Sequence, residues 1–244
     1  MPKKYIVFDL DETLGTFVQL GVFKDVLETT FKTALTQHAF NELCQAFIKY
    51  FRPNIMQLLK TIQEYKKKYS NIYLIIYTNN IGPKSWTIQI KTFLEEAIQE
   101  PGLFDDIIGG YIDMYNQRSE LCRTTMAKLP ADIRRCIGSP QNAKYLFFDD
   151  QYHPEMIHHN VTYIKSKPYK YEYTYREMIQ QFLQTGLANY LLQHYKNPQS
   201  FSERFAQELS RSRYYPKPIT QNELNVDIAI TKQMQQHLEE FLAS

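Results

Sequence analysis

The chain has 244 residues, 43% of them hydrophobic, which is enough to close a sizeable core and excludes a fully disordered or fibrous polypeptide. Lys and Arg number 28 against 26 Asp and Glu, and a net charge of +2 gives no global basic field of the kind that condenses on nucleic acid. The three cysteines, Cys44, Cys122 and Cys136, form no Cys-x-x-Cys pair and are odd in number, so the sequence predicts thiols in a reducing compartment rather than a disulfide framework.

Met1-Pro2-Lys3-Lys4 runs straight into an apolar stretch too short for a secretory signal and far too short for a bilayer. The expectation is an intracellular protein, of cytoplasm or nucleus, with no membrane partner. On that reading the glycosylation-like triplet Asn160-Val161-Thr162 is a coincidence.

Five short apolar runs, at 5–8, 72–77, 107–112, 145–148 and 161–164, are rich in β-branched and aromatic residues and separated by helical patterns. Such runs are the pattern of buried parallel strands in βαβ units, so the fold class expected is α/β with a Rossmann-like parallel sheet. Between the first two runs, an insertion over about 15–68 carries apolar residues at helical spacing. After Pro168 the strand pattern stops, and 175–194, 201–210 and 224–242 read as helices divided at 197–198 and 214–218. The chain therefore divides into a core, 1–168, and a C-terminal helical extension, 169–244. The extension is expected to offer a surface to a protein partner.

The first strand ends in Phe8-Asp9-Leu10-Asp11-Glu12-Thr13-Leu14. Ligands of parallel α/β sheets bind at the carboxyl ends of strands, and two acids two residues apart project to the same side of a strand. One carboxylate can then attack a phosphorus while the other exchanges a proton with the leaving oxygen. The second strand ends in Thr78-Asn79-Asn80, a hydroxyl and amides suited to phosphate oxygens. The run 145–148 ends in Asp149-Asp150, adjacent acids that repel a phosphate unless a hard cation lies between them.

At Asp9, Asp11, Thr13, Thr78, Asp149 and Asp150 the chain resembles the haloacid dehalogenase-like phosphohydrolases. The string Asp9-Leu10-Asp11-Glu12-Thr13-Leu14 with Arg52-Pro53 is similar to the branch that dephosphorylates the C-terminal domain of RNA polymerase II. The resemblance covers about 3–165. It implies an Mg²⁺-dependent phosphatase in which Asp9 is the nucleophile and Asp11 the acid and then the base. Thr78 and a lysine hold the phosphate, and Asp9, the main-chain carbonyl of Asp11, Asp149 and Asp150 hold the metal; Thr13 belongs to the matched motif on the phosphate side. Apart from the resemblance, the strand-end position of Asn79 and the charge of Arg118 put both on the phosphate or substrate side. A carboxylate at position 11 favours a hydrolase over the family's ion pumps, which carry Thr there.

For the cation, Arg118, Arg123, Lys128 and Lys144 are in range. Lys144 begins the strand that ends at Asp149 and so lies at the far end of the sheet. Lys128 precedes Leu129-Pro130-Ala131, a helix start with proline near its first turn, and such a start faces the crevice. Lys128 is therefore the residue chosen.

His153 reads as a loop residue, because an acid and a base are already supplied. His158-His159 lack a third ligand at metal spacing. The nineteen tyrosines are read as packing rather than as a nucleic-acid surface. The short insertion, too small for a closing cap, leaves an open site and favours a phosphorylated protein as substrate. The rival readings are a phosphatase for nucleic-acid ends or small metabolites, and a catalytically silent scaffold on the same fold.

Overall fold

The computed structural model describes residues 2–193, 198–211, 217 and 219–244. They form strands β1 (Lys4–Phe8), β2 (Ile72–Tyr77), β3 (Asp106–Ile108), β4 (Lys144–Asp149) and β5 (Val161–Lys165). The helices are α1 (Val18–Phe31), α2 (Gln37–Ala46), α3 (Ile55–Lys68), α4 (Lys84–Ala97), α5 (Pro130–Ile137), α6 (Tyr175–Phe182), α7 (Gly186–Leu192), α8 (Pro198–Arg211) and α9 (Gln221–Ala243). The divisions expected at Asn197 and across 214–216, and the helix end at His194, lie outside the described residues.

The strands make one parallel sheet in the order β3-β2-β1-β4-β5. This is the order of a doubly wound Rossmann-type sheet, with β1 at its centre and the reversal of strand order beside it. Every residue of β1 is buried, which is what a central strand covered on both faces requires. On one face Tyr5, Val7, Ile75, Tyr77, Tyr145 and Phe147 pack with Ile133 of α5. On the other, Ile6, Phe8, Leu74, Ile76, Leu146 and Phe148 are equally buried. Tyr5 lies between the rings of Tyr73 and Tyr145 at 4.9 and 5.5 Å, and burial pushes its phenol up to about 12.

Two compact units result. The first combines the chain up to Gly15 with Arg52–Tyr169 and Leu224–Ser244; the second combines Thr16–Phe51 with Lys170–Glu223. This grouping differs from a division at residue 168, because α9 docks on the sheet unit. The buried Lys4 ammonium donates to the carbonyls of Phe241 and Leu242 at 2.9 Å each, and Lys167 pairs with the buried Asp227 at 2.9 Å. Cations on the last carbonyls of a helix satisfy acceptors that have no partner within it. In the second unit an aromatic cluster forms around Phe23, whose ring meets Phe47, Phe182 and Phe205 at 5.1–5.7 Å. The helix expected over 175–194 is broken at Thr185, whose hydroxyl caps the start of α7.

Cys122 and Cys136 form a disulfide, which corrects the expectation of free thiols; Cys44 is free and buried. Sequence spacing could not show the pair, because it arises where the segment before α5 folds back on the end of that helix, with a Cα–Cα separation of 5.0 Å. A cross-link closing 14 residues of chain removes unfolded-state entropy worth about 2–3 kcal/mol. Cys122→Ser, Cys136→Ser and the double variant should each lose about that much in urea unfolding without reductant, the double no more than either single. Additive losses, or no loss, would show that the bond does not constrain the chain.

Candidate active site at the carboxyl ends of β1, β2 and β4

Parallel pairing places Phe8 opposite Phe148, so Asp9 follows β1 beside Asp149, the last residue of β4. The Asp9 main-chain N–H continues the ladder to the Phe148 carbonyl at 2.9 Å. On the other side of β1, Phe8 pairs with Ile76, so Thr78 leaves β2 one residue beyond the level of Asp9, its N–H donating to the Ile108 carbonyl at 3.0 Å. The sheet therefore delivers Asp9, Thr78 and Asp149 to one end by register alone.

Beyond β1 the chain turns sharply. Glu12 is left-handed (φ 60°), its N–H donates to the Gly15 carbonyl, and Asp11 bridges to Gly15. Buried Arg52 fixes this turn: its Nε donates to the Thr13 carbonyl at 2.6 Å, and Nη2 to those of Glu12 and Lys167 at 2.8 and 2.9 Å. Burial lowers the Arg52 pKa to about 10, so the side chain stays charged at neutral pH. Gly110 admits a close approach on the β2 side, since a Cβ there would stand 2.6 Å from the Asn80 carbonyl oxygen.

Lys128 completes the cluster. The residue is 1% exposed, and its ammonium lies 2.5 Å from Asp9 Oδ1 and 2.6 Å from Asp149 Oδ2. Burial works against the charged lysine, but the two carboxylates prevail and hold its pKa above the usual value. Burial pushes Asp9 up to about 7; Lys128 opposes this and the charge of Asp149 reinforces it. Burial also acts on Asp149, but His153 and Lys128 outweigh it and hold that carboxyl low. His153 Nε2 stands 3.3 Å from Asp149 Oδ2, an ion-pair distance without hydrogen-bond alignment. Asp11 is raised by burial and steadied by Asn80 Nδ2, which donates to Oδ2 at 2.8 Å. Thr13 Oγ1 lies 3.4 Å from Asp150 Oδ1, and Gln151 donates to both acids of the pair.

The structure thus brings together Asp9, Lys128, Asp149 and Asp150, with Thr13 on Asp150 and Asp11 held by Asn80. Thr78 is buried at the end of β2, its Oγ1 accepting from the Asn80 N–H at 3.0 Å. Asn79 is exposed, and Asn80 makes the contact with Asp11. Exposed Arg118 donates to the carbonyls of Leu121 and Arg123 and lies over the Tyr111 ring, so its guanidinium serves its own loop. Lys144 is exposed at the first residue of β4. Sequence reasoning missed the placement of His153 beside Asp149 and the loop-fixing roles of Arg52 and Arg123. An asparagine two residues past the strand-end threonine was the only local sign of Asn80.

Carboxylate oxygens of Asp9, Asp149 and Asp150 lie within 4.8 Å of one another. An all-oxygen, anionic donor set on rigid strand ends suits a hard divalent cation such as Mg²⁺. The residues present therefore fit the metal that the resemblance implies.

A carboxyl with a pKa of about 7 in the fold and 3.8 as its ordinary value binds its proton more tightly when folded. Stability from this group is present at low pH and is lost as pH rises from about 4 through 7. With divalent cations chelated, Asp9→Asn should therefore gain melting temperature over the wild type as pH rises from about 5 to 8. Millimolar Mg²⁺ should narrow the gap by stabilising the wild type. A gap indifferent to pH would show that Asp9 is not held protonated.

No family model matches the chain, and no curated protein matches it. Among solved structures it is similar to the HAD domain of effector protein Lem4 from Legionella pneumophila, at 13% identity over 74% of this chain and 94% of that one, with a TM-score of 0.43. It is also similar to an inactive mutant of that domain, at 12% identity over 81% of this chain and 100% of that one, with a TM-score of 0.41.

Proposed function

We propose that the chain is an Mg²⁺-dependent phosphatase that works through an aspartyl phosphate on Asp9, with phosphoserine or phosphothreonine proteins as substrate. The observation that carries this reading is the Lys128 ammonium in contact with both Asp9 and Asp149, with a carboxylate oxygen of Asp150 within 4.8 Å of theirs. A buried acid cluster with its own fixed cation, at the carboxyl end of a parallel sheet, is preorganised for a transferring phosphoryl group.

In the first step an Asp9 oxygen forms a bond to phosphorus as the bond to the leaving alcohol oxygen breaks, and Asp11 gives that oxygen its proton. Burial keeps Asp11 protonated to higher pH than an ordinary aspartate, which suits a general acid, and Asn80 orients it. In the second step Asp11 takes a proton from water, the water oxygen bonds to phosphorus, and the Asp9–phosphorus bond breaks to release inorganic phosphate. Lys128 and Thr78 hold the phosphate oxygens. Asp9, Asp149 and Asp150, with the main-chain carbonyl of Asp11, would hold Mg²⁺, which when bound neutralises charge on the phosphoryl oxygens.

The choice of a protein substrate is supported by the segment between β3 and α5 that ends at Lys128. It exposes Met114, Tyr115, Leu121 and Met126, each at least 59% accessible, an apolar surface that a polypeptide can cover. A second reading, a nucleic-acid end, is favoured by a groove along β5 lined by Tyr152, His158, His159, Tyr163 and Lys165 together with the aliphatic Ile157 and Val161, and without a carboxylate.

Asp9→Asn should abolish turnover of an aryl phosphate, and Lys128→Ala should lower kcat a hundredfold or more, about 2.7 kcal/mol. Chelation of divalent cations should silence the wild type. Undiminished turnover by Asp9→Asn with Mg²⁺ present would refute the mechanism. On a substrate panel, phosphoserine peptides should exceed sugar phosphates, nucleotides and phosphorylated oligonucleotides in kcat/KM. A tenfold advantage for oligonucleotides, about 1.4 kcal/mol, would move the assignment to nucleic-acid ends.

A further inference from the structure

We propose that Arg123 is a positioning residue that fixes Thr78 and Lys128, the two phosphate-holding groups, relative to one another through the main chain. The inference rests on the phosphatase reading for its catalytic meaning, though its geometry stands apart from it.

Arg123 is 0% exposed and among the largest fully buried side chains. A buried guanidinium usually faces a carboxylate, but the hydrogen bonds of this one go to main-chain carbonyls. Nη1 donates to Thr78 O at 3.1 Å and Gly109 O at 2.9 Å; Nη2 donates to Met126 O at 3.0 Å and Ala127 O at 3.2 Å. One nitrogen thus holds the ends of β2 and β3, and the other holds the peptide that leads directly into Lys128. The planar fork spans two chain segments that share no secondary structure, a task beyond the single nitrogen of a lysine.

Tyr77 closes the arrangement from β2, one residue before Thr78. Its ring lies 4.7 Å from the Arg123 guanidinium and 5.5 Å from Lys128 Nζ, and its hydroxyl accepts from the Leu129 N–H at 3.2 Å. Arg123 is itself anchored on both sides. The Cys122–Cys136 disulfide ties the preceding residue to α5, and the Thr124 main-chain N–H and hydroxyl both donate to Asp132 of α5. With both terminal nitrogens committed to carbonyls, Arg123 is not the phosphate-binding cation that its charge alone would suggest.

The test is a double-mutant cycle on the full chain with an aryl phosphate and Mg²⁺, using Arg123→Met, Arg123→Lys, Lys128→Ala and Arg123→Met/Lys128→Ala. Arg123→Met should lower kcat about thirtyfold, and Arg123→Lys should restore little of it. The double variant should fall only about threefold below Lys128→Ala, not thirtyfold, because of the two groups that Arg123 positions only Thr78 is then left to misplace. Losses that multiply, or full activity in Arg123→Lys, overturn the proposal. If Arg123→Met does not fold, Arg123→Lys takes its place in the cycle; if Arg123→Lys also fails to fold, the role is structural and the proposal is wrong.

A wild type silent on every phosphate monoester would refute the phosphatase reading, and hydrogen exchange then decides the geometry. In Arg123→Lys the amides of Asn80 and Leu129 should exchange at least tenfold faster while those within β1 are unchanged. Unchanged exchange at Asn80 and Leu129 overturns the proposal.

Discussion

The arrangement depends on one constraint: negative charge concentrated where two central strands end must be compensated inside the protein. Register alone puts Asp9 beside Asp149, and neither can be moved apart without breaking the β1–β4 ladder. Two carboxylates this close in a poorly solvated place raise each other's affinity for protons. The Lys128 ammonium, in contact with both, is what allows either to remain ionised. The asymmetry between them follows from their other neighbours. His153 stands on the Asp149 side and with Lys128 holds that carboxyl low, whereas burial and the neighbouring charge of Asp149 carry Asp9 up to about 7 against the pull of Lys128.

A cation buried between strand ends can sit there only if the loops around it are rigid, and loops at strand ends are rich in carbonyls without ladder partners. The protein answers this twice. Arg52 gathers the carbonyls of Glu12, Thr13 and Lys167 on the β1 side, and Arg123 gathers those of Thr78, Gly109, Met126 and Ala127 on the β2 side. Each guanidinium satisfies carbonyl oxygens that would otherwise need other partners, and so ties the chain segments around the crevice together.

The parts of this architecture that local chemistry dictates were legible in the sequence. The runs that became β1, β2 and β4 are apolar because both sheet faces are covered there, and the acids at the ends of β1 and β4 stand out for that reason; β5, at the sheet edge, is partly exposed. β3 was read as 107–112 but spans Asp106–Ile108, because Gly109 and Gly110 turn the chain against Asn80, a close approach that composition does not reveal. The Cys122–Cys136 bond and the grouping of α9 with the sheet depend on contacts between residues remote in sequence, the latter over separations such as Lys4 to Phe241. Asn80 rather than its neighbour reaches Asp11 because of the Thr78–Asn80 turn, which a residue count cannot orient.

The basic residues show most plainly why type and position are not enough. Arg118, Arg123, Lys128 and Lys144 carry the same charge in one stretch of chain, and sequence set Lys144 aside by its place at the start of a strand and chose Lys128 by the helix start that follows it, without showing what Arg118 and Arg123 do. What distinguishes the other three is where their donors are directed. Arg118 faces carbonyls of its own loop in solvent, and Arg123 faces carbonyls of two converging segments in the interior. Lys128 alone faces carboxylates. A guanidinium has a fork whose directions are fixed, so once satisfied by carbonyls it has little freedom to follow a ligand. An ammonium is a point charge on a flexible stem, able to stay near Asp9 and Asp149 while turning a proton toward an incoming anionic oxygen. The division of labour among these cations follows from the shapes of their donor groups.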